Sequence, residues 1–346
     1  MAKTTNQKLR VGIIGAGDIV VRRHLPGLKK HSEVEIVAVS NSTYESSEKF
    51  CQEHAPHATP MQNWADLVAL EDLDIVWIGT PPYMHSAITV SALEAGKHVF
   101  CQARMAMDQA EAEEMLATAK RFPDQVTMLC PPPFGLRGDL LVKKLLAENY
   151  LGHPHHIRLQ SFTGAYLNAE TPAHWRQRIE ISGLNVMALG IYVEVVQRWF
   201  GDITGVYARG KILHSIRQGY EVIVPDLLTV LCRFANGAEG VLEFGGINAL
   251  ASGDRLEVYG DLGTMTYDFG SETINAGRVG DRALHEVEIT PELEGGWQVE
   301  DDFIAAVKSK GRTPAHPDFD EGFRYMRVVQ AVADSRARNE WVEIKK

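Results

Sequence analysis

Four cysteines in 346 residues, none of them in a C-x-x-C pair, give this chain neither a disulfide framework nor a thiolate metal site. No apolar stretch approaches the roughly twenty residues that a bilayer-spanning helix requires, and the N-terminal MAKTTNQKLR lacks the apolar core of a secretory leader. These absences predict a reduced, cytoplasmic chain. Positive charge is not in excess either: the net charge of −10 argues against a nucleic-acid or anionic-membrane surface. Internal repeats and low-complexity segments are absent, and the length corresponds to roughly two or three domains. Proline is concentrated at Pro131-Pro132-Pro133, where it fixes φ and cannot continue a central strand. The boundary is placed there, giving domains 1–130 and 131–346.

Before the prolines, strand and helix patterns alternate. Arg10 to Ile14 reads as a short apolar strand, Gly15-Ala16-Gly17 as a tight turn, Asp18 to Lys30 as a helix and Glu35 to Ser40 as the next strand. Tyr44 to His54 follows as a helix, Ile75 to Gly79 as a strand, His85 to Ala95 as a helix stopped by Gly96, His98 to Cys101 as a strand, and Gln109 to Arg121 as a helix. Such alternation predicts a doubly wound parallel α/β sheet of Rossmann type, with ligands at the carboxyl ends of its strands.

The nucleotide signal is GIIGAGDIV, Gly12 to Val20. Gly15 permits the turn, Gly17 lets the backbone approach a pyrophosphate, and the helix that follows points its N-terminus, with Asp18 and Ile19, at that anion. Two expected features are missing. The third glycine of G-x-G-x-x-G is Val20, and the acid that would bind the ribose after the second strand is replaced by Ser40-Asn41. Asn41 can hydrogen-bond a ribose hydroxyl without repelling a 2′-phosphate, and no arginine follows to attract one. NAD is therefore expected, with NADP open.

Past the prolines, Arg158 to Thr163, Val206 to Ile212, Leu227 to Phe234, Glu239 to Gly245, Arg255 to Tyr259 and Thr264 to Asp268 read as strands, several joined by turns such as Asn236-Gly237. One helix, Asn185 to Phe200, interrupts them, and another, about Glu321 to Arg338, closes the chain. The pattern predicts an α+β domain with a large, mainly antiparallel open sheet, helices on one face and the other face free to meet a partner.

Across nearly its whole length the chain resembles the glucose-fructose oxidoreductase, inositol dehydrogenase and MocA family. The resemblance rests on GIIGAGDIVVRRHLPGL at the start, GTPPYMH at Gly79 to His85, GKHVFCQ at Gly96 to Gln102, HWR at His174 to Arg176 and SGLNVMALGIY at Ser182 to Tyr192. It implies that the first domain binds NAD or NADP, with Thr80, Pro81, His85 and Gln102 at the cofactor. It implies that the sheet domain holds a sugar, polyol or related substrate, and that the chain forms homodimers or homotetramers through the outer face of the sheet.

Departures from the family pattern fall on the chemistry. The usual Glu-Lys-Pro after the strand is Gln102-Ala103-Arg104 here, so the lysine that tunes proton transfer is lost; Arg104 cannot act as a base but can hold an anionic or polyhydroxylated ligand. The usual D-x-G-x-H has become Ala188-Leu189-Gly190-Ile191-Tyr192. Tyr192 is its only ionisable survivor, and with Arg104 it is the catalytic candidate, a cationic neighbour such as Arg104 being expected to lower the phenol's pKa. Asn185, Ala188 and Tyr192 fall near one helical face, and Glu194 pairs in register with Arg198.

Each candidate also has a structural reading. Tyr192 suits a core aromatic with a satisfied hydroxyl, Asn185 a helix N-cap and His85 a helix-capping histidine. His174, Trp175 and Arg176 suit either a packed loop or a substrate site in which Trp175 offers a flat wall to a sugar. His153, His155 and His156 have no acid or cysteine at ligand spacing, so no metal is expected. Two function classes follow. One is an NAD(P)-dependent oxidoreductase of a sugar, polyol or glycoside, including a redox-neutral variant that cleaves a glycoside through transient oxidation. The other is a dinucleotide-binding regulatory or partner protein that has lost catalysis.

Overall fold

The computed structural model describes residues 8–345; residues 1–7, which belong to the segment read above as carrying no apolar leader, lie outside the described residues. The chain forms two compact units, one of residues up to Pro131 together with Gln298–Phe323, the other of Pro132–Trp297 together with the residues from Arg324 onward. A single cut into 1–130 and 131–346 therefore misses the return of residues 298–323 to the first unit. The cause is apolar: the helix Val299–Lys308 buries Phe303 edge-on against Trp77 and Phe100, with ring centroids 5.7 and 5.8 Å apart.

In the first unit the strands are β1 (Leu9–Ile14), β2 (Val34–Ser40), β3 (Thr59–Met61), β4 (Ile75–Ile78), β5 (His98–Cys101) and β6 (Thr127–Leu129), in the order β3-β2-β1-β4-β5-β6. All pairings are parallel. The order reverses between β1 and β4, which makes the carboxyl ends of those two strands the switch point of a doubly wound sheet. Every residue of β4 is buried, and the Trp77 and Phe100 rings stack at 3.8 Å across neighbouring strands. Local signals fix the helices between them. Thr43 accepts from the backbone of Ser46 at the start of Tyr44–His54, and Asp108 accepts from Glu111 at the start of Gln109–Arg121. The helix expected over Asp18 to Lys30 is instead a π-helical stretch, Val20–His24, followed by an α-helical turn, Leu25–Leu28. Pro26 has no N–H to bond the carbonyl of Arg22, so a regular α-helix cannot run through that turn.

The second unit is built on β7 (Pro154–Phe162), β8 (Ile203–Lys211), a small hairpin of β9 (Ile216–Arg217) and β10 (Tyr220–Glu221), then β11 (Leu227–Phe234), β12 (Glu239–Gly245), β13 (Gly253–Gly260), β14 (Gly263–Asp268), β15 (Thr273–Arg278), β16 (His285–Glu286) and β17 (Val342–Glu343). Apart from the hairpin they form one sheet, β16-β15-β14-β13-β7-β12-β11-β8-β17. Its pairings are antiparallel except for β7 with β12. Leu228, Val230, Cys232 and Phe234 of β11 alternate inward, and Phe234 meets Phe200, the last residue of a helix that runs from Leu189 to Phe200, with ring centroids 6.5 Å apart. That helix begins four residues later than expected because Met187 sits at φ 45°, a left-handed conformation that an α-helix cannot contain.

Candidate active site

A cavity of about 880 Å³ opens at the switch point of the first sheet. Its walls come from the three loops that the strand order brings together: Gly15 to Gly17 after β1, Ser40 to Ser42 after β2, and Gly79 to Pro81 after β4. Gly15 has φ 82°, and a Cβ there would lie 2.6 Å from the backbone nitrogen of Thr80, so glycine is needed on both counts. Gly17 has open space on its side-chain side, with nothing within 4 Å. The missing third glycine is offset across the turn. Val20 is fully buried, and it is Gly79 that makes room, since a Cβ on Gly79 would lie 2.6 Å from Val20 Cγ2.

Asn41 has a structural job besides the one expected. Its Oδ1 accepts from the Ala16 N–H at 2.7 Å, and its Nδ2 donates to the Ser46 carbonyl at 3.2 Å. It clamps the glycine turn to the next helix, and it also lines the cavity, with one Oδ1 lone pair and one Nδ2 hydrogen left by these two bonds. Of the other expected cofactor residues, Gly15, Gly17, Ser40, Thr80 and Pro81 line the cavity, while Asp18, Ile19, His85 and Gln102 do not. Asp18 is exposed and paired with Arg22 at 2.6 Å. Ser42, Ser46, Gln62, Asn63, Trp64, Tyr83 and Met84 complete the wall and were not foreseen. Gln62 to Trp64 follow β3, whose three residues, one of them proline, are too short to register as a strand.

His85 is fully buried among carbonyls. Its Nδ1 lies 2.9 Å from the Arg104 oxygen and 3.1 Å from that of Met105, and its Nε2 lies 2.7 Å from the Thr80 oxygen. Burial pushes its pKa below the ordinary histidine value, and the three carbonyls oppose that shift. The ring therefore ties the loop after β4 to the exit of β5 and takes no part in the cavity wall, contrary to the expected cofactor contact. Arg104 is 1 % exposed at that exit, and its guanidinium stays protonated there.

Gln102 belongs to a buried chain of polar groups. His24 Nδ1 meets Glu300 Oε1 at 2.5 Å, and His24 Nε2 meets the Gln102 amide nitrogen. A carboxylate can only accept, so Nδ1 carries the proton and Nε2 accepts from Gln102. The amide oxygen of Gln102 is thereby turned away from His24. Sequence reasoning used neither His24 nor Glu300, which lie 276 residues apart.

In the second unit, Tyr192 is fully buried between Phe134 and Phe269, with ring centroids 5.4 and 5.2 Å away, and its hydroxyl donates to Asp254 Oδ2 at 2.5 Å. Burial, then the Asp254 charge, pushes the phenol well above its ordinary pKa. The expected lowering by a cationic neighbour is therefore reversed, and Tyr192 is not a phenolate. Asp254 Oδ1 is buried and has no hydrogen-bond partner among the described residues. No sequence motif marked this aspartate; its position on β13 brings it to the helix.

Asn185 is buried, with its Nδ2 donating to the Ser182 carbonyl at 2.8 Å. It closes a turn and does not cap the following helix, whose N-cap is Ala188. Glu194 meets Arg198 at 3.5 Å, as the register requires. His174 caps a short 3-10 helix, Trp175–Gln177, by accepting from the Arg176 N–H. The Arg176 guanidinium lies 4.2 Å over the Trp175 ring, covering one face of the wall expected to receive a sugar. His174 and Arg176, but not Trp175, line a second cavity of about 530 Å³.

All four cysteines are buried and form no disulfide, and burial raises the thiol pKa of each. His316, Asp318 and Glu321 cluster closely enough to suggest a cation site. They form a helix cap: Asp318 accepts from the Glu321 N–H, and Glu321 accepts from the Asp318 N–H and faces His316 Nδ1. Among the described residues no helix is long and apolar enough to cross a membrane.

Residues 9–129 match the family described as the GFO/IDH/MocA oxidoreductase family, NAD-binding Rossmann fold, and residues 140–266 match the GFO/IDH/MocA C-terminal domain. The chain is 24 % identical to levoglucosan dehydrogenase of Pseudarthrobacter phenanthrenivorans, over 82 % of this chain and 83 % of that one. It is 26 % identical to a dTDP-3,4-didehydro-2,6-dideoxy-alpha-D-glucose 3-reductase of Streptomyces antibioticus, over 95 % and 98 %. It is 26 % identical to myo-inositol 2-dehydrogenase of Thermotoga maritima, over 77 % of each chain. The fold is that of a levoglucosan dehydrogenase solved in complex with NADH, with a TM-score of 0.88 at 21 % identity, covering 98 % of this chain and 100 % of the other.

Proposed function

We propose a reaction from one fact: the chain belongs to the Gfo/Idh/MocA family of NAD-binding oxidoreductases. It is an NAD-dependent oxidoreductase, and its substrate is a sugar, polyol or glycoside bearing a carbinol carbon. The observation that carries this is the cavity at the switch point, where Gly15 turns the chain and Gly17 leaves room beside a helix N-terminus. Its volume suits a cofactor, and none of its lining residues is a lysine or arginine that would pair with a 2′-phosphate, which favours NAD over NADP. The sugar and polyol substrates named for the relatives support the substrate class.

Bound NAD supplies the acceptor or donor of hydride. The protein's part is to hold the cofactor and manage the proton. Asn41 fixes the glycine turn, and Gln102, oriented through His24 and Glu300, would help to hold the cofactor. Because the Tyr192 phenol holds its proton, it relays: the carbinol O–H proton passes to Tyr192 Oη while the tyrosine's own proton moves to Asp254 Oδ2. Asn185, His174 and Arg176 contribute to the substrate site within the second unit, and Arg104 is the cationic candidate within the first. A second copy packing on the outer face of the sheet, where Leu231 is 46 % and Tyr259 is 36 % exposed, completes the reading as a homodimer or homotetramer.

The test is a panel of sugars, polyols and glycosides with NAD, following both reduced nicotinamide and products. Net oxidation gives reduced nicotinamide, and a redox-neutral cleavage gives products alone. Neither signal on any compound, with NADH binding intact, favours a non-catalytic partner protein.

A further inference from the structure

Two guanidinium groups, Arg176 on the loop that follows β7 and Arg217 on the hairpin that follows β8, have no carboxylate to balance them. Arg217, on the β9–β10 hairpin, is 1 % exposed and bonds only neutral acceptors: the Asn168 carbonyl at 2.8 Å, Thr171 Oγ1 at 3.2 Å and the Tyr166 carbonyl. Arg176 lines the cavity of about 530 Å³ together with Tyr166, Thr171, His174 and Gln177. Among the described residues neither arginine forms an ion pair, and the polar contact of the Arg176 side chain is the face of Trp175.

The acid that this network reaches through Gln177 is already engaged. Asp226 is fully buried; its Oδ1 accepts from Gln177 Nε2 at 3.3 Å, and its Oδ2 accepts from the N–H groups of Leu213 and His214 at 2.8 and 3.0 Å. Glu180, four residues after Arg176, is engaged by Arg178 and Tyr220. A cation partly withdrawn from water without a countercharge is costly, and partial burial lowers the pKa of Arg176, although a guanidinium remains protonated. The flat, two-pronged donor face of arginine matches a carboxylate or phosphate. His174 adds a polar ring: its Nδ1 accepts from the Arg176 N–H, so in the neutral ring Nε2 bears the proton.

We propose that this cavity is an oxyanion subsite, in which Arg176 binds the carboxylate or phosphate substituent of an acidic sugar substrate. Arg217 acts at a distance, fixing the loop and adding positive potential. The proposal rests on the sugar oxidoreductase reading for the identity of the ligand, and on Arg176 and its surroundings for its charge.

Calorimetric titration of the NADH-saturated protein tests it, with D-glucuronate, D-glucose 6-phosphate, acetate, inorganic phosphate and neutral D-glucose as probes. Arg176→Met keeps an apolar stem over Trp175, and Arg176→Lys keeps the charge without the fork. The expected result is binding of at least one anionic probe in preference to glucose, weakened about 10- to 100-fold in Arg176→Met, as loss of a charge-assisted hydrogen bond implies, and less in Arg176→Lys. Preference for the glucuronate arm assigns a sugar acid, and preference for the 6-phosphate arm a sugar phosphate. The two variants should bind NADH as the parent does and melt at a similar temperature. The proposal is overturned if no anionic probe binds up to millimolar concentration, if glucose binds as well as its charged analogues, or if Arg176→Met leaves anion binding unchanged. Anion binding by a protein that fails to bind NADH would keep the subsite and reject the oxidoreductase reading.

Discussion

The Tyr192 hydroxyl donates to Asp254 Oδ2 across 2.5 Å, joining the first turn of a helix to a strand 62 residues further along the chain. The pair separates two roles that one residue type cannot fill. A phenol held above its ordinary pKa is a poor base, whereas the carboxylate behind it can receive a proton through it. Tyr192→Phe leaves the buried Asp254 oxygens without their donor and should cost about 1–3 kcal/mol of stability, read by urea unfolding. Asp254→Asn retains an acceptor for the hydroxyl and should cost less, yet it removes the proton acceptor and should depress turnover about 10²-fold or more. Equal turnover in Asp254→Asn and the parent rejects the relay.

The same phenol gives a pH dependence of defined sign. The folded chain keeps the Tyr192 proton above the ordinary tyrosine value of about 10, whereas the unfolded chain loses it there. Above that pH the folded state binds more protons, so stability falls as pH rises. Unfolding measured from about pH 9 to pH 11 should show this loss in the parent and a shallower one in Tyr192→Phe. Parallel curves would place the alkaline loss on other groups.

Gly17→Val should separate ligand space from folding. The position is open to the cavity, so valine fits the backbone but fills the space beside the turn. Thermal unfolding of the cofactor-free variant should match the parent, while stabilisation by NADH should disappear. Stabilisation undiminished by the valine would put the cofactor elsewhere.

Asn41→Ala removes the acceptor of the Ala16 N–H and loosens the turn. NAD affinity should fall about 5- to 10-fold, the scale of one hydrogen bond of about 1 kcal/mol or a little more, with no shift of preference toward NADP. A selective change in one cofactor would return Asn41 to the ribose.

Glu300→Ala removes the buried carboxylate that His24 Nδ1 donates to, so a stability loss of about 1–3 kcal/mol is expected. His24 is then no longer held to one tautomer, and the Gln102 amide loses its fixed direction. Loss of NADH affinity beyond the loss of stability, measured well below the unfolding transition, distinguishes that orienting role from simple packing.

What was legible in the sequence was what is local. The β1 turn, the alternation of the first unit and the inward pattern of β11 are written in neighbouring residues, and short-range sterics and burial enforce them. The resemblance located Tyr192, Gln102 and Arg176 in sequence order but not their partners. Asp254, His24 and Glu300 matter through pairings made by topology, which leave no spacing to read. The clamp of Asn41 on Ala16 was hidden for a related reason, since a ribose contact and that clamp ask for the same residue type. The short β3 and the helix that returns Phe303 to the first unit were hidden because one is three residues long and the other packs against strands some 200 residues earlier, a separation seen directly between Trp77 and Phe303.

The most direct measurement is hydride transfer itself. A carbinol-deuterated sugar or polyol, chosen from the panel by its binding, is mixed with NAD and a stoichiometric excess of protein, and the nicotinamide is recovered by rapid quench for mass analysis. The account predicts deuterium on the reduced nicotinamide in a single turnover, slower in Asp254→Asn at unchanged NADH affinity. A bound, deuterated carbinol that gives no labelled nicotinamide at any time point would contradict it.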